Sequence, residues 1–89
     1  MAWQPWPIEW SKPAQHDLGS IDKGSRKHIS DAVDKYASTG VGNIGAVKGK
    51  QGVYRLKLPP WRVFYKQILQ PKRKLVILRV LRRNERTYD

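Results

Sequence analysis

Three strand-like runs follow one another between Val53 and Leu81, and only short turns separate them. In the first two runs, apolar residues occupy alternate positions, and a strand sends successive side chains to opposite faces. Pro59-Pro60 separates the first run from the second, and the turn-forming segment "QPKRK" separates the second from the third. Connections this short join antiparallel neighbours. The segment therefore predicts a three-stranded antiparallel meander with strands at Val53–Leu58, Trp61–Ile68 and Leu75–Leu81.

The residues before the meander predict a short strand, Ile8–Trp10, followed by two helices. Ser11 and Asp22 are suitable N-caps for the two helices, and Gly40 is a suitable stop for the second. From Gly40 to Gly52 glycine recurs, which predicts a loop. Each helix carries an apolar stripe at helical spacing: Ala14, Leu18 and Ile21 in the first, and Ile29, Ala32, Val33, Tyr36 and Ala37 in the second.

Together these elements predict one α+β domain over residues 1–89. It has an N-terminal strand, a two-helix hairpin and then the three-stranded antiparallel meander, with the helices packed on one sheet face. The absence of cysteine excludes disulfides and thiolate metal sites. No apolar run reaches the roughly 18–20 residues of a membrane span, and no basic segment precedes an apolar run as in a signal peptide. We therefore expect a soluble, cytoplasmic protein with no membrane association.

The net charge of +11 lies entirely in the second half of the chain. Up to Ala46, five cations and five anions cancel, whereas from Val47 onward thirteen cations face only Glu85 and Asp89. A field of that sign attracts polyanions and speeds their encounter. Nucleic acid is the first candidate partner and an acidic protein is the second, while a merely solvated basic surface is the alternative to both.

Three cations are expected to crowd one patch of the predicted sheet. Arg55 and Lys57 share one strand face, and a hairpin through Pro59-Pro60 returns Arg62 beside them. Like charges this close repel, so the patch is either a solvated face or a site for an anion. The chain has no cysteine nucleophile, phosphate-binding glycine loop or metal-ligand spacing, so we expect no metal and no small-molecule cofactor. Aromatic residues interleave with the cations, as in RNA-binding sheets, although at strand spacing they more often belong to a core: Tyr54, Trp61, Tyr65 and Tyr88.

The ordered run "GKQGVYRLKLPPWRVFYK…KLVILRVLRRNERTY" resembles the C-terminal half of RelE/ParE-superfamily toxins. Those toxins share a glycine before a "YRL" strand, a "YRV-Y" or "WRV-Y" strand, and a "VILRV" strand that leads to a basic segment and a late tyrosine. The N-terminal order also matches, because a strand precedes a helical hairpin that begins "W-S-x-x-A-x-x-D-L". The resemblance implies the toxin of a toxin–antitoxin pair, with a cognate antitoxin as partner.

RelE-like members of the superfamily enter the ribosomal A site and cut mRNA, so the resemblance implies ribosome and mRNA as partners. The RelE-like pattern falls on a catalytic set in this sequence: Arg55, Lys57, Arg62, Arg83 and Tyr88. Arg82 takes the place of Arg83 if the register shifts by one residue. We expect further contacts to RNA or the ribosome from six other cations of the basic half: Lys48, Lys50, Lys66, Arg79, Arg82 and Arg86.

This set would cleave RNA without a metal, by promoting attack of the RNA's 2′-OH on the adjacent phosphate. Lys57 would be the base, because neighbouring arginines disfavour the charged form of a lysine. Arg55 and Arg62 would hold the phosphate, Arg83 would stabilise the leaving oxygen, and Tyr88 would stack on a base or orient the 2′-OH. Two alternatives stay open: a non-enzymatic ParE-type inhibitor of DNA gyrase, and a superfamily member that binds RNA or the ribosome but has lost activity.

Overall fold

The computed structural model describes residues 2–83, which form two helices and one five-stranded sheet. Along the chain the elements are β1 (Ile8–Trp10), α1 (Lys12–Gly19), α2 (Lys23–Thr39), β2 (Ile44–Ala46), β3 (Val53–Leu58), β4 (Trp61–Ile68) and β5 (Lys74–Arg82). The strand order across the sheet is β1-β5-β4-β3-β2, so the first strand lies beside the last. The predicted α+β class is confirmed.

The predicted meander is present with nearly the predicted bounds. β3 and β4 begin and end as predicted, and β5 extends the predicted strand by one residue at each end. Both β3–β4 and β4–β5 are antiparallel. The short β1 pairs in parallel with β5, from Ile8 opposite Leu75 to Trp10 opposite Ile77.

The predicted loop between Gly40 and Gly52 is wrong for Ile44–Ala46, which forms β2. This strand pairs antiparallel with β3, and the Lys57 amide donates to the carbonyl of Asn43 at 2.9 Å to extend the ladder. The strand forms because the outer edge of β3 supplies backbone partners that local glycine content does not reveal. Ile44 also packs against the core.

Both helices begin at the predicted caps. The Ala14 amide donates to Ser11 Oγ at 3.2 Å and the Ser25 amide donates to Asp22 Oδ2 at 2.9 Å. The latter bond is the main reason that the pKa of Asp22 is lowered. α2 ends at Gly40, whose φ of 78° is the left-handed conformation that glycine adopts without strain. Within residues 2–83, no helix is long and apolar enough to cross a membrane.

The core lies between the helices and one face of the sheet. Tyr36 of α2 and Tyr65 of β4 share a buried hydrogen bond of 2.7 Å between their hydroxyl groups, and burial raises the pKa of Tyr65. Both predicted helix stripes contribute to this core, whose buried members are Ala14, Ile21, Ile29, Val33, Tyr36, Ala37, Leu56, Val63, Tyr65, Leu75, Ile77 and Val80.

α1 closes the edge of β5 beyond the point where β1 ends. The Ser11 amide donates to the carbonyl of Ile77 at 3.0 Å, and Ser11 Oγ donates to the carbonyl of Leu78 at 3.0 Å. The Val80 amide donates to Asp17 Oδ2 at 2.9 Å. The backbone groups of β5 therefore keep partners after the neighbouring strand has stopped, as buried peptide groups require.

Candidate nucleic-acid interface

The sheet face opposite the helices carries the predicted cation cluster. Lys57 lies directly across from Arg62, and Arg55 lies across from Phe64. Leu56 of the same strand is buried in the core, so the alternation of β3 assigns Arg55 and Lys57 to the opposite side. We call this side of the sheet, with Arg55, Lys57, Arg62 and Phe64, the outer face.

Arg62 departs from the predicted exposure. Either a solvated face or an anion site would leave the Arg62 side chain accessible, but Arg62 is only 1% exposed, whereas Lys57 is half-buried. Arg62 stands on β4, the middle strand, with Lys57 on one side and Leu81 on the other. Its Nη1 donates to the carbonyl of Trp61 at 3.3 Å. Arg62 therefore lies on the outer face by its strand register and yet is buried there.

Arg55 is seated on a glycine. Its cross-strand partner on β2 is Gly45, and Arg55 Nη1 donates to the carbonyl of Ala46 at 3.1 Å. A Cβ atom at Gly45 would lie 3.3 Å from Arg55 Nη2 and 3.4 Å from Arg55 Cζ. The guanidinium therefore lies against the backbone of β2, in space that a side chain at Gly45 would occupy. Sequence reasoning missed Gly45 because it assigned this segment to a loop.

The structure separates Arg82 from Arg83. Arg82 lies across from Trp61, and its Cζ atom is 5.6 Å from the centre of the Trp61 ring, within cation–π range. The Arg83 amide donates to the carbonyl of Pro60 at 2.7 Å, which continues the β4–β5 ladder by one residue. Alternation along the ladder then assigns Arg83 to the outer face with Arg62. The catalytic role of Arg83 stays a prediction, and Arg86 and Tyr88 lie outside the described residues.

Arg79 is already held by a carboxylate. Its Nε donates to Asp17 Oδ2 at 2.8 Å and its Nη2 donates to Asp17 Oδ1 at 3.0 Å, which is a bidentate pair. These bonds are the largest reason that the pKa of Asp17 is lowered. The same pair raises the pKa of Arg79. Any contact of Arg79 with RNA, like those predicted for the exposed Lys48, Lys50 and Lys66, stays a prediction.

Three of the four aromatic residues that the sequence singled out, Tyr54, Trp61 and Tyr65, lie on the core side. Tyr65 is 2% exposed. The Tyr54 ring stacks on Tyr65 with 5.7 Å between ring centres, and Trp61 packs against the core. The alternative that aromatic residues at strand spacing belong to the core is therefore correct for these three.

Phe64, which sequence reasoning missed, lies instead on the outer face. It is half-buried and is not part of the core cluster. Phe64 lies across from Arg55 on β3 and from Arg79 on β5, and the β4–β5 register shifts immediately after it. It borders a hollow of about 390 Å³ whose lining residues are Val47, Lys50, Val53, Phe64, Leu78, Arg79 and Leu81. The signal in the sequence was an aromatic residue, Phe64, at a strand position that should share the outer face with Arg62.

Comparison with known proteins identifies the family. The family model of the ParE toxin of the parDE type II toxin–antitoxin system matches residues 8–87. The chain belongs to this toxin family. It is thus a toxin of a type II toxin–antitoxin system, and the resemblance to the RelE/ParE superfamily is confirmed. None of the curated proteins matches the sequence.

Solved structures share the fold of this ParE-family toxin at low sequence identity. The toxin–antitoxin complex RelBE2 from Mycobacterium tuberculosis matches with a TM-score of 0.72 and 20% identity over 89% of this chain and 92% of that chain. The archaeal RelE–RelB complex from Pyrococcus horikoshii matches with a TM-score of 0.73 and 19% identity over 92% of this chain and 99% of that chain. The RelB–RelE complex from Methanococcus jannaschii matches with a TM-score of 0.69 and 19% identity over 83% of this chain and 88% of that chain.

Proposed function

We propose that this toxin is a ribosome-dependent mRNA endoribonuclease that acts in the cytoplasm and inhibits translation. The observation that carries the proposal is the direct cross-strand pair of Lys57 and Arg62 on the outer face. Both residues are cations, and cations are the side chains that bind a phosphate through charge-assisted hydrogen bonds. Arg55, held on Gly45, supplies a third cation on the same face.

The proposed reaction needs only groups of this chain and of the RNA. Lys57 takes the proton of the 2′-OH as the 2′-oxygen attacks the adjacent phosphorus, and the bond from phosphorus to the 5′-oxygen breaks. Arg55 and Arg62 stabilise the charge that develops on the phosphoryl oxygens. Arg83 stabilises the leaving 5′-oxygen, which takes up the proton that Lys57 removed and so leaves as a hydroxyl. Tyr88 stacks on a base. The products are a 2′,3′-cyclic phosphate and a free 5′-hydroxyl.

The ribosome has a physical role in this proposal. Among residues 2–83, the site contains no histidine–carboxylate pair, which is a common acid–base couple for reactions near neutral pH. Holding the message in a reactive geometry supplies the missing rate through proximity and orientation. We therefore expect slow cleavage of naked RNA and fast cleavage of translated mRNA.

A cognate antitoxin completes the set of proposed partners. The family is defined by type II toxin–antitoxin systems, and the structural neighbours from M. tuberculosis and P. horikoshii are complexes of toxin with antitoxin. The excess of positive charge after Ala46 favours an acidic partner segment. Binding of that kind weakens as ionic strength rises.

Inhibition of DNA gyrase without catalysis is the second candidate. Two observations favour it: the matching family is the ParE toxin family, and Arg62 is too buried to act as a solvated charge. On this candidate the outer face binds a protein, and Lys57 contributes to affinity rather than to bond cleavage. A toxin-family member that binds RNA or the ribosome without cleaving it is the remaining alternative.

Primer extension on a translated message tests the proposal. The wild-type toxin is added to a translation extract, and we expect new mRNA ends that are absent when ribosomes are omitted. Lys57→Ala should abolish the new ends while ribosome pelleting shows nearly unchanged binding, because many other cations remain. Lys27→Ala is the matched control, since Lys27 is an exposed lysine on α2 that pairs only locally with Asp31.

Each outcome of this assay has a defined meaning. Cleavage by wild type and Lys27→Ala but not by Lys57→Ala supports the nuclease. Wild-type cleavage by Lys57→Ala contradicts the assigned base. No cleavage by the wild type, together with inhibition of gyrase supercoiling in a parallel assay, would replace the proposal with the second candidate.

A further inference from the structure

We propose that Phe64 forms the floor of a nucleobase subsite on the outer face, where one unstacked base of single-stranded RNA lies on the ring beside the phosphate held by Lys57 and Arg62. This inference rests on the proposed action on RNA. It adds a base-binding residue that the proposed chemistry does not use. The starting observation is that Phe64 is an aromatic side chain that neither joins the core cluster nor lies on the core side of its strand.

The hollow beside Phe64 has the size and lining that a base requires. Its volume is about 390 Å³, and an apolar cavity of about 150 Å³ already takes up benzene, so a bicyclic purine fits. Val53 and Leu81 contribute apolar surface, and Lys50 and Arg79 contribute charge. A ring face with apolar flanks and a cationic rim is the arrangement that binds unstacked bases with little sequence preference.

The position of Phe64 along β4 joins this hollow to the cation cluster. Phe64 and Arg62 are two residues apart on the same side of one strand, which corresponds to about 6.6 Å. Across β3, Arg55 lies opposite Phe64 and Lys57 lies opposite Arg62. A nucleotide whose phosphate lies at Lys57, above the buried Arg62, thus reaches the Phe64 ring with its own base.

The sheet topology favours a nucleobase over a peptide as the occupant. β4 is paired on both edges, with β3 on one side and β5 on the other, so no backbone edge is open beneath the hollow for strand addition. A base needs only the ring face and a cation for its phosphate. All of the net charge of +11 also lies in the half of the chain that forms this face, which complements a phosphodiester backbone.

Fluorescence anisotropy with a non-cleavable probe tests the subsite. The probe is hexaadenylate with 2′-O-methyl riboses and a 5′-fluorescein, and its partner is the same strand with every base removed. At one fixed salt concentration, Phe64→Leu keeps apolar bulk but removes the ring. We expect it to weaken hexaadenylate binding by roughly 5- to 150-fold, which is the 1–3 kcal/mol of one stacked base converted at 1.4 kcal/mol per factor of ten.

Three comparisons sharpen this result. Phe64→Tyr keeps the ring and should bind within about twofold of the wild type. The abasic strand should bind wild type and Phe64→Leu equally, because only phosphates remain to be recognised. Leu69→Ala is the control, because Leu69 is an exposed apolar residue of the β4–β5 turn, 65% exposed and outside the hollow.

The subsite is overturned if the wild type binds the abasic strand as tightly as hexaadenylate, a result that needs no variant. It is also overturned if Phe64→Leu binds hexaadenylate like the wild type, or if Phe64→Leu loses only antitoxin binding, which would make the hollow a protein docking site. The two proposals fail separately. Base-dependent binding by a toxin that never cleaves translated mRNA refutes the nuclease and keeps the subsite. Cleavage of translated mRNA that is unchanged in Phe64→Leu, together with binding that does not depend on the bases, refutes the subsite and keeps the nuclease.

Discussion

The two faces of the sheet are formed by alternate residues of the same strands, and one face is apolar while the other is basic. On the core side, Leu56, Val63 and Tyr65 are at most 2% exposed. On the outer face, one residue away along each strand, Arg55, Lys57 and Phe64 remain half-buried. The comparison teaches that the residues of the core and those of the proposed site alternate along the same strands. A substitution on one face should therefore leave the other face intact. Arg62 is the exception, since it belongs to the outer face by register and to the interior by burial.

The largest expected effect comes from adjacent residues of β3. Leu56→Ala should lower the free energy of unfolding by about 2–5 kcal/mol, because it truncates a buried side chain and leaves a cavity. Lys57→Ala truncates a half-buried side chain on the outer face and leaves no cavity in the core, so its cost should be well below that of Leu56→Ala. Urea unfolding followed by circular dichroism measures both. Unfolding of Lys57→Ala at a lower urea concentration than Leu56→Ala would show that the two faces are assigned the wrong way round.

A smaller effect is expected where α1 meets the edge of β5. Asp17→Ala removes the acceptor of the Val80 amide and of the Arg79 guanidinium. The unpaired groups should cost about 1–3 kcal/mol of stability at neutral pH. Asp31→Ala is the control, because its pair with Lys27 is exposed and exposed pairs contribute about 0–1 kcal/mol. Equal losses in the two variants would mean that the Asp17 contacts do not hold the helix on the sheet.

The same contact gives a pH dependence of defined sign. The pKa of Asp17 is lowered in the folded protein, so the folded state favours the ionised carboxylate relative to the unfolded chain, where an aspartate titrates near pKa ~3.9. The stabilisation is therefore complete above about pH 5 and is lost as the pH falls through the lowered pKa. Asp17→Asn should flatten the decline in stability between about pH 5 and pH 2 in thermal unfolding scans. An unchanged slope would contradict this assignment.

The smallest expected change in stability tests the seat of Arg55. Gly45→Ala introduces a Cβ 3.3 Å from Arg55 Nη2, which should displace the guanidinium and weaken growth inhibition severalfold. Stability should stay within about 1 kcal/mol, because alanine is favoured over glycine in a strand by about 0.5–1 kcal/mol. Gly19→Ala is the control, since a Cβ there meets no atom within 4 Å. Growth assays and thermal unfolding of both variants decide whether the outer face responds independently of the core.

Much of the fold was predictable because its signals are local. The alternation in "VYRLKL" and "WRVFY" set the bounds of β3 and β4, and the caps at Ser11 and Asp22 set the starts of both helices. β2 was not predictable in this way, because Ile44–Ala46 becomes a strand only when β3 offers its edge. The parallel pairing of β1 with β5 likewise joins residues far apart in sequence, and no local pattern specifies it.

The candidate site was predictable in its charges and not in its surroundings. Strand alternation and a short hairpin suffice to bring Lys57 and Arg62 together. The burial of Arg62 depends on its being on the middle strand, and the pairing of Arg79 with Asp17 depends on the packing of α1. Phe64 was missed because strand alternation shows which positions face away from the core but does not show that an apolar residue at such a position has a role there.

The neighbouring positions of β1 and β5 have a consequence for synthesis on the ribosome. Ile8–Trp10 leaves the exit tunnel early, but its pairing partner, Leu75–Ile77, is translated more than sixty residues later. The contacts of Ser11 and Asp17 with β5 also cannot form until that strand has been translated. Contacts of such sequence separation form late, because loop closure must precede them. A nascent chain that has not yet reached β5 therefore lacks the complete sheet, and the outer face is fully assembled only after this strand has emerged.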